Sequence, residues 1–253
     1  MKKMFLGAEK MAFTESEVYN NDSFFEQYMK RRYRNDNPND TIEKPALLQL
    51  IGDVKEKTIL DLGCGDAQFG VELLQKGCLS YTGIEGSHLM YTEAIKQLEN
   101  KNGIVHFINL KDYTYPSSTF DLVTSRLALH YIEHLDIIFQ NVYQTLKNDG
   151  IFTFSVQHPV ITSSLESLQT SGKRTSWLID NYFKTGERIE PWIEQDVIKY
   201  HRTIEQYFTL LQQAGFTITD LREAIPKRNH FQSEEEYTRR LRIPLFLLFS
   251  CKK

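Results

Sequence analysis

Asp61, Gly63, Gly65 and Glu85 are the residues of this chain whose types and spacing best suit chemistry on a bound ligand. An apolar run, Thr58-Ile59-Leu60, enters Asp61, and the glycine pair follows at once in ILDLGCGDAQFG, Ile59–Gly70. A helical pattern opens at Asp66. A strand, a tight Gly-rich turn and a helix N-terminus in this order hold an adenosine-type cofactor at the end of a parallel strand. The glycines let the backbone turn sharply and approach a ligand closely. The free N–H groups of the following helix favour electron-rich ligand atoms. Glu85 lies a helix and a strand later, where a carboxylate can accept both ribose hydroxyls of an adenosine.

These features fit NAD, FAD or S-adenosylmethionine, and three details separate them. Asp61 sits inside the strand end, where a carboxylate orders water or receives an ammonium group but repels a diphosphate. Gln68 occupies the place of the third glycine of the dinucleotide fingerprint. Asp66, at the helix start, is a second poor neighbour for a diphosphate. All three favour S-adenosylmethionine.

The elements that must position these residues alternate. Strands are expected at Thr58–Leu62, Tyr81–Ile84, Val105–Ile108, Phe120–Thr124 and Ile151–Val156, with helices at Asp66–Gln75, Ser87–Leu98 and Ile137–Leu146 between them. Asn148-Asp149-Gly150 reads as a turn. This alternation implies a mostly parallel sheet covered on both faces. Upstream, a short helix is expected at Phe24–Arg32, a polar loop near Pro38, and a helix at Glu43–Ile51 with Pro45 in its first turn. After His158 the rhythm breaks: Pro159–Tyr200 carries Trp177, Tyr182, Phe183 and Trp192 with little periodicity. A helix resumes at Thr203–Ala214, followed by a strand at Phe216–Leu221, a polar excursion at Ala224–Arg242 and a last apolar strand at Leu245–Cys251.

Bulk properties set bounds. The 253 residues suit one α/β domain with insertions. A net charge of −3 leaves no basic footprint for nucleic acid. Cys64, Cys78 and Cys251 are scattered, which speaks against a disulfide framework and against a metal site. The opening MKKMFLGAEKMAF has too short an apolar run for a signal peptide, and no run reaches membrane-spanning length. The expectation is a cytoplasmic protein, monomer or homodimer, without membrane contact.

On ILDLGCGDAQFG, on YTGIEGS (Tyr81–Ser87) and on FDLVTSRLALHYI (Phe120–Ile132), the chain resembles the class I S-adenosylmethionine-dependent methyltransferases. HRTIEQYFTLLQQAGF and the C-terminal IPLFLLFS look like the closing helix and strands of that family. The Ser155–Pro159 segment is similar to that of its bacterial small-molecule members. The resemblance implies a Rossmann-like seven-stranded sheet, order 3-2-1-4-5-7-6, with the last strand antiparallel and helices on both faces. It divides the chain into an N-terminal cap helix and linker, 1–42, and a methyltransferase domain, 43–253, with a cap insertion at 159–200. It implies cofactor contacts from Asp61, Gly63, Cys64, Gly65, Glu85 and Gly86. Where the family has an Asp and a small residue bordering the adenine, this chain has Asn109 and Leu110, with Asp112 the alternative.

Methyl transfer from a sulfonium mainly needs alignment, which contributes about 7–11 kcal/mol. A general base is needed only where the acceptor must lose a proton. His130, after the fourth strand, and His158, leaving the fifth, are the catalytic candidates: His130 as pocket wall or base, with a packing histidine capping a short helix as the plain alternative, and His158 as lining the acceptor site. Arg126 can face the cofactor or make a surface ion pair. Tyr28 and Arg32 lie one helical turn apart and can cover the cofactor and bind its carboxylate, with Arg31 and Tyr19 of the same kind; a solvated basic face is the plain alternative. His201-Arg202 suit a helix start. The aromatic insertion can wall an apolar acceptor pocket or pack as satellite core. The function expected is methylation of a small molecule. A nicotinamide-dependent oxidoreductase and a non-catalytic cofactor-binding protein are the alternatives. The segment Thr124-Ser125-Arg126-Leu127 is not the [DN]-P-P-[YFW] of enzymes that methylate a flipped base.

Overall fold

In the computed structural model, residues 12–169, 174 and 176–253 are described. The opening segment read against a signal peptide falls on 1–11 and lies outside them, as do 170–173 and 175 of the insertion.

A sheet of seven strands carries the fold. Its strands are β1 (Thr58–Leu62), β2 (Ser80–Glu85), β3 (Gly103–Phe107), β4 (Phe120–Arg126), β5 (Leu146–Gln157), β8 (Thr217–Arg222) and β9 (Phe246–Lys252). Their order is β3-β2-β1-β4-β5-β9-β8. The first five run parallel, and β9 runs antiparallel between β5 and β8. With the two strands of a separate hairpin left out, this is the expected 3-2-1-4-5-7-6. Side chains alternate across the sheet: Leu60 and Leu62 join a core with Phe139, Phe152 and Phe154, while Ile59 joins the opposite core with Leu73, Tyr81 and Leu248. Covered on both faces, β1 is apolar at Ile59, Leu60 and Leu62, with the buried Asp61 between them.

Helices α2 (Lys44–Ile51), α3 (Gln68–Gln75), α4 (His88–Leu98), α5 (Leu135–Thr145) and α8 (Ile204–Gln213) cover the sheet. Helix α3 starts two residues later than expected, because Ala67 takes a left-handed conformation at φ +58°. The Asp66 side chain turns back to accept from Gln68 N–H at 3.2 Å. The turn expected at Asn148–Gly150 lies within β5, as an irregularity in its register with β4 and with Asp149 at φ +64°.

The insertion differs from the irregular segment expected. It holds two short helices, α6 (Pro159–Thr162) and α7 (Leu165–Gln169), and an antiparallel hairpin, β6 (Gly186–Trp192) with β7 (Gln195–His201). Its signal is a period of two: Val197, Lys199 and His201 are buried and alternate with less buried residues. The polar excursion contains α9 (Glu234–Arg240).

The N-terminal helix α1 (Asp22–Arg32) is capped by Asn21, whose side chain accepts from Phe24 N–H at 3.0 Å. Two seams hold this region over the sheet rim. Phe13 pairs with the hairpin through its N–H to Asp196 O at 2.9 Å and its C=O from Ile198 N–H at 2.9 Å. Asn20 Oδ1 accepts from His88 N–H at 2.8 Å and from Ser87 Oγ at 3.0 Å, at the start of α4. Val18, Phe24, Tyr131, Ile193 and Val197 form a third small core that joins α1 to the hairpin. No helix of the described residues is long and apolar enough to cross a membrane.

Candidate active site

Tyr28, Arg32, Asp61, Gly63, Cys64, Gly65, Glu85, Gly86, Asn109, Leu110 and Arg126, separated by up to a hundred residues in sequence, all line one cavity of about 370 Å³ at the C-terminal rim of the parallel strands. Strand register explains the convergence: Asp61 lies beside Gly83 of β2 and Thr124 of β4, so all three strands end together.

The two carboxylates are prepared differently. Tyr81 donates its hydroxyl to Asp61 Oδ2 at 2.8 Å, while Asp61 Oδ1 is buried with no partner among the described residues. Burial pushes the Asp61 carboxyl up to about 6. Glu85 accepts from Ser87 N–H at 2.7 Å and Gly65 N–H at 2.9 Å, one on each oxygen. Burial outweighs these bonds and raises its carboxyl to about 7. A carboxylate offers about four lone-pair sites, so about two remain for a ligand.

Gly63 takes φ +70°, and a Cβ there would stand 2.5 Å from the Cβ of Ala128. The constraint on Gly63 is therefore set by the loop after β4 before any ligand is met. A Cβ on Gly86 would strike Ser16 Oγ and Asn109 Oδ1, so the N-terminal segment and the loop after β3 close directly behind Glu85. Asp112, the alternative to Asn109, is outside the cavity and accepts a long 3.4 Å bond from the Asn109 amide.

Both cations expected near the cofactor are already ion-paired. Arg126 reaches Glu43 Oε2 through Nη2 at 2.5 Å and Nε at 3.0 Å, and its Nη2 also donates to Asn39 O at 3.0 Å. Glu43 is fully buried and accepts from Ser155 Oγ at 2.7 Å. Arg126 is thus a strut tying the segment before α2 to β4 and β5, with one face over Phe69. Arg32 pairs with Asp40. Arg31 is exposed and outside the cavity.

The cavity continues past the glycine turn to a second wall formed by His130, Gln157, Glu190, Trp192 and Lys199, with Tyr19, Tyr28 and Tyr131 beside them. His130 is buried, and its Nδ1 accepts from Gln157 N–H at 3.4 Å, which leaves the proton on Nε2. Burial first, then the charges of Lys199 and Arg202, hold His130 well below its ordinary range. It is therefore a neutral N–H donor and poorly suited as a base. Lys199 Nζ donates to Glu190 Oε2 at 2.9 Å and Gln157 Oε1 at 3.0 Å, over the rings of Trp192 and Tyr131.

His158 is corrected by the geometry. It does not line the cavity. Its Nδ1 accepts from Val160 N–H at 3.1 Å and caps α6, and its Nε2 stands 3.0 Å from Glu223. Pro159 takes the first helical position of α6, and the His158 ring is turned back as its cap. Trp177, Tyr182 and Phe183 also stay outside the cavity: Phe183 is 86% exposed, and Trp177 stacks with Arg174. His201 bonds Thr162 and Tyr182 O, and Arg202 bonds the carbonyls of Ile132 and Glu133, so both are structural.

Glu43, Gln157, Glu190 and Lys199 were not singled out from sequence. Lys199 carried a usable signal, an ammonium at an inward position of an alternating strand. Glu43 carried none, since its partner Arg126 is 83 residues away.

The chain matches the family model described as a methyltransferase domain over residues 26–221. Among solved structures it is similar to an S-adenosylmethionine-dependent methyltransferase of Mesorhizobium loti, at 31% identity, TM-score 0.77, covering 83% of this chain and 97% of that one. It is similar also to a structure from Listeria monocytogenes assigned to the same class, at 33% identity and TM-score 0.75, over 83% and 95% of the two chains. An uncharacterized protein of Haemophilus influenzae is 31% identical, over 81% of this chain and 85% of that one.

Proposed function

The chain belongs to the class I S-adenosylmethionine-dependent methyltransferases, with S-adenosylmethionine as cofactor, and on that premise we propose that it methylates a small molecule held between the glycine turn and the hairpin. The oxidoreductase alternative falls with the family assignment. The observation that carries the proposal is continuity: one cavity runs from Glu85 and Asp61 to Trp192 and Lys199 under the cover of α1 and the hairpin.

The residues present fit the cofactor. Asp61 Oδ1 is a buried acceptor without a partner among the described residues, suited to an ammonium group. Glu85 has lone pairs left for a ribose diol. Asn109 and the Leu110 backbone border the place expected for the adenine. Bound S-adenosylmethionine supplies a methyl group already activated on a sulfonium, open to in-line displacement.

The protein's part is then alignment and exclusion of water. Glu85 and Asp61 anchor the two ends of the cradle. Trp192 and Tyr28 meet edge to face, ring centroids 5.7 Å apart, and close the cover. His130, neutral, lining the cavity and with Nε2–H left to donate, orients an acceptor by a hydrogen bond; no proton is taken by it. An acceptor that must lose a proton loses it to water or to another base.

The test is a transfer assay with methyl-labelled S-adenosylmethionine and a cell extract split into small-molecule, protein and nucleic-acid fractions. Label in the small-molecule fraction supports the proposal. Label only in protein or nucleic acid contradicts it.

A further inference from the structure

We propose that the wall built by His130, Gln157 and Lys199 recognises the carboxylate of the acceptor, so that the molecule methylated is a small organic acid. The inference rests on the reading above that this end of the cavity holds the acceptor.

Three donors of this wall form one connected set. Gln157, the last residue of β5, uses its backbone N–H on His130 Nδ1 at 3.4 Å and its side-chain oxygen on Lys199 Nζ at 3.0 Å. The Lys199 bond fixes which amide atom is oxygen, so the Gln157 NH₂ group keeps its donors. His130 is left with Nε2–H. Lys199 has two of its three N–H groups engaged, on Gln157 and on Glu190. Each residue thus retains a donor, and all three line the same cavity. N–H donors on one cavity wall, one ammonium among them, match the chemistry of a carboxylate's two oxygens.

An amine is the competing ligand, since Glu190 and several rings share this wall. Two observations count against it. Glu190 already holds one ammonium, Lys199 Nζ on Oε2 at 2.9 Å, with 7% of Glu190 and 5% of Lys199 exposed, so it is not free to take a second. The aromatic faces that attract a cation are also taken: Lys199 Nζ lies 5.2 Å from the Trp192 ring and 5.7 Å from that of Tyr131. A second ammonium would meet an occupied cage, whereas an anion meets an ammonium already held in place. A buried ion pair adds little net stability over an apolar pair. Its place in a cavity wall suits recognition better than folding.

The experiment is ligand-detected NMR on the full chain loaded with S-adenosylhomocysteine. The probes are matched trios: phenylacetate, phenylacetamide and phenethylamine; hexanoate, hexanamide and hexylamine; succinate, succinamide and butanediamine. At least one carboxylate should bind about tenfold or more tightly than its amide and amine, and Lys199→Met should remove that preference. Because Lys199→Met strands Glu190, the paired change Glu190→Gln with Lys199→Met, which leaves no orphan charge, should give the same loss. Both variants should keep S-adenosylhomocysteine affinity within about threefold of wild type, which separates a lost acceptor site from a lost fold. Amides or amines binding as well as acids, no acid binding at all, or acid preference surviving both variants would overturn the proposal. Failure of the wild type to take up S-adenosylhomocysteine would instead strike the reading it rests on, and the acid preference of the unloaded chain would then decide this one.

Discussion

Tyr81 donates its hydroxyl to Asp61 Oδ2 at 2.8 Å, and Oδ1 is buried with no partner among the described residues. On the function proposed above, one oxygen of this carboxylate is held by the fold and the other takes the ligand. Burial raises the carboxyl to about 6.

Asp61→Asn should therefore separate stability from binding. Above about pH 6 the neutral amide escapes the desolvation that the ionised Asp61 suffers, and its oxygen still accepts from Tyr81. The melting temperature should hold or rise, while affinity for S-adenosylhomocysteine falls about tenfold or more, as when a charged partner is lost. Thermal melts and calorimetry on the same samples check this; a less stable chain with unchanged affinity would count against it.

Binding should depend on pH through Glu85, whose carboxyl is raised from 4.5 to about 7 by burial. Its folded form holds the proton more tightly than the unfolded chain, so the free protein loses stability as pH rises from about 4.5 to about 7, by up to about 3 kcal/mol from this group. A ribose diol needs the ionised acceptor. Affinity for S-adenosylhomocysteine should thus climb between about pH 5 and about pH 7 and then level. Calorimetry across this range on wild type and Glu85→Gln checks it; the variant should lose the part of the slope above about pH 6.

Glu43→Ala should be among the most damaging substitutions outside the cradle. It removes the carboxylate that the buried Arg126 guanidinium holds at 2.5 Å and 3.0 Å, leaving it the Asn39 carbonyl and Asp40 at 3.8 Å, and it takes the acceptor from the Ser155 hydroxyl proton. The expected loss is about 3–5 kcal/mol, read by denaturant unfolding. Replacing Glu43 and Arg126 together by leucine should recover most of it. A loss of under about 1 kcal/mol for the single change would show the strut to be dispensable.

Gly63→Ala should weaken both fold and binding. The added Cβ meets Ala128 at 2.5 Å and must adopt φ +70°. A cost of about 1–3 kcal/mol is expected. Unchanged unfolding together with unchanged S-adenosylhomocysteine affinity would show that the turn relaxes freely.

The sheet and its cradle were legible because their signals are local. The run ILDLGCG, the acid at Glu85 and the strand–helix alternation each occupy a few adjacent residues. All eleven cofactor candidates converge on one cavity for that reason. The strut of Glu43, Arg126 and Ser155 could not be read, because its members meet only after β4 and β5 pair. His158 was misplaced by its position alone: a strand end points to the rim, but Pro159 at the start of α6 turned the ring into a helix cap. In the insertion, aromatic content points to Trp177, Tyr182, Phe183 and Trp192, of which Trp192 lines the cavity, and the alternation that buries Lys199 is the further guide.

The central claim is that the cavity over Glu85 and Asp61 is where this methyltransferase holds its cofactor. Titration of S-adenosylmethionine into wild type and Glu85→Ala by calorimetry tests it most directly. The account predicts one site per chain in the wild type. In Glu85→Ala it predicts an affinity lower by about tenfold or more, as two ribose hydroxyls lose their acceptor, with the chain still folded. Equal affinity in the two chains would contradict it.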